Sequence, residues 1–364
     1  MAGPQTGHRR SGESGLVQRV RARLAALPID GVPSLVVGVS GGIDSLALAG
    51  VLAELSRQEV VTVVAVHVDH GLRPESGDEQ VEVADQARAL GIEFQAEKLA
   101  PNVRERHPGL GLEEAARRER FAALASVARW RGVDAIALAN HEMDQAETVL
   151  LHLLRGSGPH GMSGMAEWNV RPVPWWETET GDGSAAPIAI WRPFITEPRE
   201  YLEYFVSGLG LRPIIDPSNG SSEFRRNRIR HELLPLFEDI SPGSTAAIVR
   251  YAQLAAAEDS YLASVVDTHI GSLVDRDGHM IAGRLVDLDV VLQRRTVQTW
   301  LQSKLSAGVE VSQERIDAVR ALGLSGHGGS KVQVGSGWQV LRLRGLLRVE
   351  RRSETKPMTS GARG

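Results

Sequence analysis

The chain predicts an α/β fold: a doubly wound, mostly parallel sheet, then a mainly helical domain ending in a small β-sheet. Three observations carry this. Apolar, β-branched runs of strand length alternate with helical stretches from Ser34 to Arg155. The runs Ser34–Val39 and Val60–Val68 are apolar almost throughout, as strands covered on both faces must be. Beyond Ser241 the pattern turns to long Ala- and Leu-rich helical stretches, with short alternating strands only near the end.

In order, Leu16, Val20, Leu24 and Leu27 recur at helical spacing before Pro28 and predict an amphipathic helix. The strand Ser34–Val39 is followed by Ser40-Gly41-Gly42-Ile43-Asp44-Ser45 and then by the helical run Leu46–Leu55. Glycines allow a sharp turn and let backbone N–H groups approach a ligand. With the positive end of the helix dipole they suit an anion such as phosphate. The plainer alternative is a βα turn with Asp44 or Ser45 as helix cap. Val60–Val68 is a buried strand running into His67–Pro74. Asp78–Leu90 is helical, Ile92–Leu99 a strand, Gly111–Arg131 a helix, Asp134–Ala139 a strand and Met143–Arg155 a helix. Ligands on such sheets bind at the carboxyl ends of strands, where Ser40–Ser45, His67–His70 and Asn140–Asp144 all fall.

Gly156–Gly164 predicts a mobile loop, Trp175–Ala186 a solvent-exposed insertion, Ile188–Pro193 a strand and Arg199–Leu209 a helix. The Met and Trp residues between Met162 and Trp176 suit either base stacking or hairpin packing. Asp216–Asn219 is turn chemistry closing the first domain. Arg225–His231 opens a helix reaching about Phe237, and Thr245–Val265, Val291–Leu305 and Ser312–Leu322 are further helices. Val332–Val334, Trp338–Leu343 and Leu346–Val349 predict the terminal sheet. The expected organisation is a disordered leader (1–14), an α/β domain (15–222), a helical domain (223–350) and a disordered tail (351–364).

Apolar content of 42%, charged content of 24% and a net charge of −4 are ordinary for a soluble globular protein. No run is long enough to span a membrane, and the leader lacks a signal's apolar core, so a cytoplasmic location without membrane partners is expected. The absence of cysteine excludes disulfides, thiolate zinc sites and cysteine-ligated iron–sulfur clusters.

Several residues could carry chemistry. His67 and His70 lie three apart, but no third ligand follows at a zinc-site spacing, so they read as pocket lining. Arg117 and Arg120 share one helix surface and could clamp phosphates, or pair with Glu113, Glu114 and Glu119 on a solvated face. Asp144 and Glu147 are i and i+3, and the helical projection puts Glu147 among Met143, Leu150 and Leu154. A carboxylate turned towards a core needs a partner, either a cationic ligand or an internal ion pair. Arg225, Arg226, Arg228 and Arg230 form a basic helix start suited to phosphates, or to a merely solvated face.

The hexapeptide resembles the SGGxDS loop of PP-loop ATP pyrophosphatases. His67–Pro74, Gly111–Phe121, Asn140–Leu151, Arg155–Gly158, Arg192–Phe194, Asp216–Asn219 and Arg226–His231 extend the match. Their ordered combination resembles the tRNA(Ile)-lysidine synthetase family. That resemblance implies ATP-dependent adenylation of the wobble cytidine of CAU-anticodon tRNA(Ile), then attack by L-lysine to give lysidine, AMP and pyrophosphate. It implies ATP bound by Ser40, Gly41, Gly42, Ile43, Asp44, Ser45, His67, His70, Arg117 and Arg120. It further implies Mg²⁺ on Asp44, catalysis by Asp44 and Asp144, lysine held by Asp144 and Glu147, and tRNA on Arg225, Arg226, Arg228 and Arg230. The assembly expected is a monomer or a homodimer. The family's usual His-x-Asp-Asp-Gln differs here, since Met143 replaces the first Asp and Asn140 stands where His or Gln is common. A thiolase reading conflicts with the lack of cysteine, a small-molecule amidating ligase would need an ammonia-delivering domain, and a pure binding module would not need Asp44, Asp144 and Glu147 together.

Overall fold

The computed structural model describes residues 6–69, 76–99, 102–107, 109–171, 187–214, 224–305, 311–335 and 337–352. The chain divides into two compact units, Met1–His152 with Ser163–Gln253 and Leu153–Met162 with Leu254–Gly364.

The first unit begins with α1 (Thr6–Ala25), β1 (Ser34–Gly38), α2 (Ile43–Arg57), β2 (Thr62–Asp69), α3 (Ser76–Leu90) and β3 (Glu93–Lys98). There follow α4 (Val103–Arg106), α5 (Leu112–Arg131), β4 (Ala135–Ala137) and α6 (Glu142–Leu154). After the short α7 (Pro159–Met162), which belongs to the second unit, come β5 (Trp168–Arg171), β6 (Ile188–Trp191), α8 (Arg199–Leu209) and α9 (Phe224–Arg228). A π-helical turn (Ile229–Leu233), α10 (Leu234–Ile240) and the first part of α11 (Ser244–Leu273), up to Gln253, complete the series.

The sheet order is β3-β2-β1-β4-β6-β5, parallel except where β5 runs antiparallel to β6. β1 lies between β2 and β4, with Val36 opposite Val64 on one side and Ile136 on the other. The chain therefore leaves β1 towards one half of the sheet and returns at β4 to build the other. The crevice at that switch point is where ligands of such sheets bind. Alternation along each strand covers both faces. Leu35 and Val37 pack with Leu16, Val20 and Leu24 of α1, Leu48, Leu52 and Leu55 of α2, and Leu202 and Phe205 of α8. Val36, Val66 and Ile136 face the other way, onto Ala115, Leu124, Ala125 and Ala128 of α5. The doubly wound expectation holds.

Two expected boundaries need correction, and a third point concerns a stretch left open. The leader expected over 1–14 is helical from Thr6, because a helix anchored by Leu16, Val20 and Leu24 propagates more cheaply than it nucleates. The first unit does not end at 222 but reaches Gln253. Ile229, Leu234 and Val249 pack on Ala146 and Leu150 of α6, which draws the basic segment into the α/β unit. Trp168, within the stretch left open between stacking and packing, lies in a strand and packs against the main core. The expected insertion 175–186, the turn at 216–219 and the tail from 353 onward lie outside the described residues.

In the second unit, β7 (Met280–Ile281) and α12 (Ala282–Leu285) precede α13 (Val290–Lys304) and α14 (Gln313–Ser325). β8 (Lys331–Gly335), β9 (Trp338–Leu343) and β10 (Leu346–Arg351) follow, giving an antiparallel sheet of order β7-β10-β9-β8. Its core joins Met280, Leu285, Val297, Trp300, Leu301, Val319, Leu322, Val340 and Leu347. Among the described residues no helix is long and apolar enough to cross a membrane.

The turn from α10 into α11 is held by Glu238, whose carboxylate accepts the N–H groups of Gly243 and Thr245, each at 2.7 Å. Hydrogen bonds from Thr245 and Gly243 depress its pKa to about 2. A depressed carboxylate stabilises the fold above its unfolded value, and the contribution fades as pH falls through the folded one. Glu238→Ala is therefore expected to lose about 1 kcal/mol at neutral pH, a cap's usual worth at a solvated site. In urea melts the difference from the unsubstituted protein should shrink as the pH falls from about 4.5 to about 2.

Candidate active site

The bend between β1 and α2 is shaped from within. Gly41 has φ +83°, and a Cβ there would meet Ile214 Cδ1 at 2.5 Å, so both backbone conformation and space demand glycine. Its carbonyl accepts the Ile214 N–H at 2.9 Å. The Ser45 hydroxyl accepts from the Ser40 N–H (3.1 Å) and donates to the Gly42 carbonyl (2.9 Å). Ser45 thus shapes the bend, and its hydroxyl is committed inside it. The first intrahelical bond of α2 is Leu46 N–H to Gly42 C=O (3.0 Å). The N–H groups of Ile43, Asp44 and Ser45 precede it and point along the helix axis towards the crevice, as anion-binding donors do.

At the end of β4, His141 is buried with its Nδ1 accepting the Met143 N–H at 3.2 Å. In the neutral ring that puts the proton on Nε2. Nε2 lies 3.7 Å from Asp44 Oδ2 and 3.9 Å from Asp144 Oδ2, so one imidazole stands between the carboxylates of two separate helices. Asn140 supports the same turn: its Oδ1 accepts from Arg192 Nε (3.2 Å), and His141 N–H donates to Asp144 Oδ2 (3.2 Å).

Glu147, one turn along α6, has no exposed surface. Its Oε2 accepts from Arg226 Nε at 2.8 Å and its Oε1 from Arg230 Nε, while Arg230 Nη2 donates to Asp144 Oδ1 at 2.7 Å. Both arginines come from the segment where α9 passes into the π-helical turn. The wider turn buries Ile229 while Arg226 and Arg230 both reach α6. Such turns recur at functional sites.

The two aspartates are driven apart. Burial pushes the Asp44 carboxyl above its ordinary range, only partly offset by His141 and Arg199. Burial also acts on Asp144, but the neighbouring His141, Arg230 and Arg226 and the His141 N–H outweigh it and hold the group below that range. Asp144 therefore stays ionised and is a poor proton acceptor, whereas Asp44 gives up its proton less readily.

The predicted site residues separate into groups. Ser40–Ser45, Asp44, Asp144 and Glu147 come together at the switch point, and Arg226 and Arg230 join them. Arg226 and Arg230 were expected on RNA but are engaged with carboxylates. Glu147 was expected to meet lysine directly; in the structure each of its oxygens accepts an arginine Nε. Holding an amine, the role implied for Asp144, fits a carboxyl kept below its ordinary range. Arg225 and Arg228 are exposed, with Arg228 Nε 2.9 Å from Glu232. His67 is buried and donates from Nδ1 to the Val39 carbonyl (2.9 Å), bracing the end of β1. Arg117 and Arg120 are exposed on α5, with the Arg117 guanidinium 5.8 Å from the Phe121 ring. His70 lies outside the described residues. Met143, in place of an acid, packs beside Ala146, Leu150 and Ile229.

Three residues escaped the sequence reading. His141 was visible in the motif, but not its place between two carboxylates. Gln145 is buried and uses its amide to pin Met165 through N–H (2.8 Å) and C=O (3.0 Å), so the expected mobile loop is fixed at its far end. Arg199 stands beside Asp44, its Nε 3.8 Å from Oδ1.

Residues 16–237 match the PP-loop domain family. A tRNA(Ile)-lysidine synthase of Salinispora tropica is 33% identical across 90% of this chain and 93% of its own. One from Nocardia farcinica is 35% identical across 92% and 98%. Among solved structures, the U34-tRNA thiolase NcsA from Methanococcus maripaludis with its [4Fe-4S] cluster is similar with a TM-score of 0.54 at 19% identity, covering 68% of this chain and 80% of that one. That likeness concerns the fold alone.

Glu147→Gln would leave two partly buried guanidinium groups facing one carboxylate. The arginine side chains keep 27% and 29% exposure, so the loss should fall somewhat below that of a fully buried pair, at about 2–4 kcal/mol. Urea unfolding of the variant checks this.

Proposed function

The chain belongs to the tRNA(Ile)-lysidine synthase family of PP-loop proteins, and from that premise we propose its reaction in atomic terms. L-lysine is ligated to C2 of the wobble cytidine of CAU-anticodon tRNA(Ile). The cytidine O2 attacks the α-phosphorus of ATP, the bond to the β-phosphate oxygen breaks, and pyrophosphate leaves with the electron pair. The lysine ε-ammonium first loses a proton to solvent. Its nitrogen lone pair then bonds to C2, the C2–O bond breaks to release AMP with the electron pair, and a second N–H proton leaves to solvent. The observation that carries this reading is the meeting of Asp44 on the glycine bend with Asp144 after β4, through His141, with Arg230 tying Asp144 to Glu147.

In the first step, the N–H groups of Ile43, Asp44 and Ser45 receive phosphate oxygens, with Arg117 and Arg120 as further phosphate partners. The Asp44 Oδ1, buried and without a hydrogen bond, suits a hard cation. Mg²⁺ held there would supply charge neutralisation to the departing pyrophosphate. His67, with Nδ1–H given to Val39, offers Nε2 as an acceptor for an adenine amino group. His70, adjoining the same strand end, is assigned to the nucleotide as well.

In the second step, Asp144 orients the lysine amine. Its ionised state fits holding an ammonium, and we assign it that role rather than the role of base. Glu147 keeps Arg226 and Arg230 in register with Asp144, so its part in lysine binding is indirect. The exposed Arg225 and Arg228 take RNA phosphates, with Arg226 and Arg230 at the boundary between RNA and carboxylates. The reaction belongs in the cytoplasm, and light scattering of the purified protein separates a monomer from a homodimer.

Transfer of labelled lysine to CAU-anticodon isoleucine tRNA, dependent on ATP, tests the whole scheme. The methionine tRNA with the same anticodon should accept none. Asp44→Ala should abolish transfer while tRNA binding persists, and Asp144→Asn should keep pyrophosphate release while losing lysine transfer. Absence of transfer by the unsubstituted protein would overturn the assignment.

A further inference from the structure

The glycine bend contains no cation of its own: Ser40 to Ser45 supply hydroxyls, N–H groups and one carboxylate. A leaving pyrophosphate carries several negative charges, and backbone donors alone neutralise them poorly. The chain places a guanidinium there from a distant element. Arg199, the first residue of α8, has Nε 3.8 Å from Asp44 Oδ1. Both atoms are closed to solvent, and neither makes a hydrogen bond. Two opposite charges so placed, each with an atom short of a partner, would be completed by a ligand carrying a cation and anionic oxygens together.

The position is not one that helix stability selects. A cation in the first turn opposes the helix dipole. Glu203 Oε1, 3.1 Å from Nε and one turn on, offsets that charge without hydrogen-bonding geometry. The placement is also rigid. Gly50 of α2 lies so close to α8 that a Cβ would meet Leu209 at 2.5 Å and Phe205 at 3.0 Å. Just before α8, the buried Glu197 carboxylate is held by Arg19 (2.7 Å) and Arg23 (3.0 Å) of α1, while its carbonyl accepts the Glu142 N–H at the start of α6 (3.1 Å). The Arg199 side chain nevertheless keeps 38% exposure although its Nε has none, so the side chain is buried at Nε and open elsewhere.

We propose that Arg199 is the phosphate-binding cation the bend lacks, gripping the pyrophosphate half of the triphosphate beside Asp44. This rests on the ATP-dependent reading above and adds a residue to it. As the bond from the α-phosphorus to the β-phosphate oxygen breaks, the electron pair moves onto that oxygen. Arg199 then donates hydrogen bonds to the pyrophosphate, charge to charge. Arg117 and Arg120 remain partners from another helix.

Calorimetric binding of inorganic pyrophosphate with Mg²⁺, and separately of AMP, to the full-length protein tests this. Arg199→Gln should weaken pyrophosphate roughly 10- to 100-fold, the range of a lost charge-assisted hydrogen bond. AMP affinity should stay unchanged, and Arg199→Lys should recover part of the loss. Unchanged pyrophosphate affinity in Arg199→Gln overturns the proposal, and so does an equal loss of pyrophosphate and AMP, which a packing role would produce. If the unsubstituted protein releases pyrophosphate from ATP with the transcript while Arg199→Gln binds it normally, only this inference falls. If pyrophosphate binding needs Arg199 but no lysine transfer occurs, the functional reading falls and this one stands.

Discussion

A fully buried carboxylate cannot be left without positive charge, and in this protein Glu147 is that carboxylate. Two guanidinium groups answer it, and both come from a segment distant in sequence. To bring Arg226 and Arg230 to α6, the chain after α9 adopts a π-helical turn and buries Ile229 against Ala146 and Leu150. The basic segment, α10 and the start of α11 are thereby part of the α/β unit. A single unfavourable burial thus explains why the first unit extends to Gln253.

The same pairing sets the chemistry next door. Arg230 spans Glu147 and Asp144, so Asp144 is kept ionised although burial alone would favour its neutral form. Asp44, nearer to Arg199 than to that pair, is pushed the other way. His141, its tautomer fixed by the Met143 N–H, stands between them. Two aspartates a few ångströms from one ring therefore differ in how readily they carry charge. The difference comes from the charges each one faces.

Much of the site was legible because it follows from local rules. The glycine bend could be placed between strand and helix from composition, and Gly41 has both the positive φ and the crowding that such a bend imposes. The burial of Glu147 followed from helical projection, since 100° per residue fixes which side chains share a face. What could not be read locally was which cation would answer it. An incoming amine and an internal arginine look alike from a sequence, because both satisfy a carboxylate. Arg199 was invisible for a related reason: nothing near residue 199 indicates that α8 packs so tightly on α2 that its first residue meets Asp44.

By itself, the sequence determined the alternation of strand and helix, the phosphate-type bend, the absence of thiolate chemistry and the family to which the chain belongs. These rest on periodicity, glycine geometry and residue identity, which are properties of short stretches. Only the tertiary structure decided that Arg226 and Arg230 face carboxylates, that Ser45 is spent inside the bend, and that His141 and Arg199, from separate elements, both reach Asp44. Those contacts join residues from separate elements, and their geometry is fixed by how helices pack on a shared sheet, a long-range constraint that no single segment encodes.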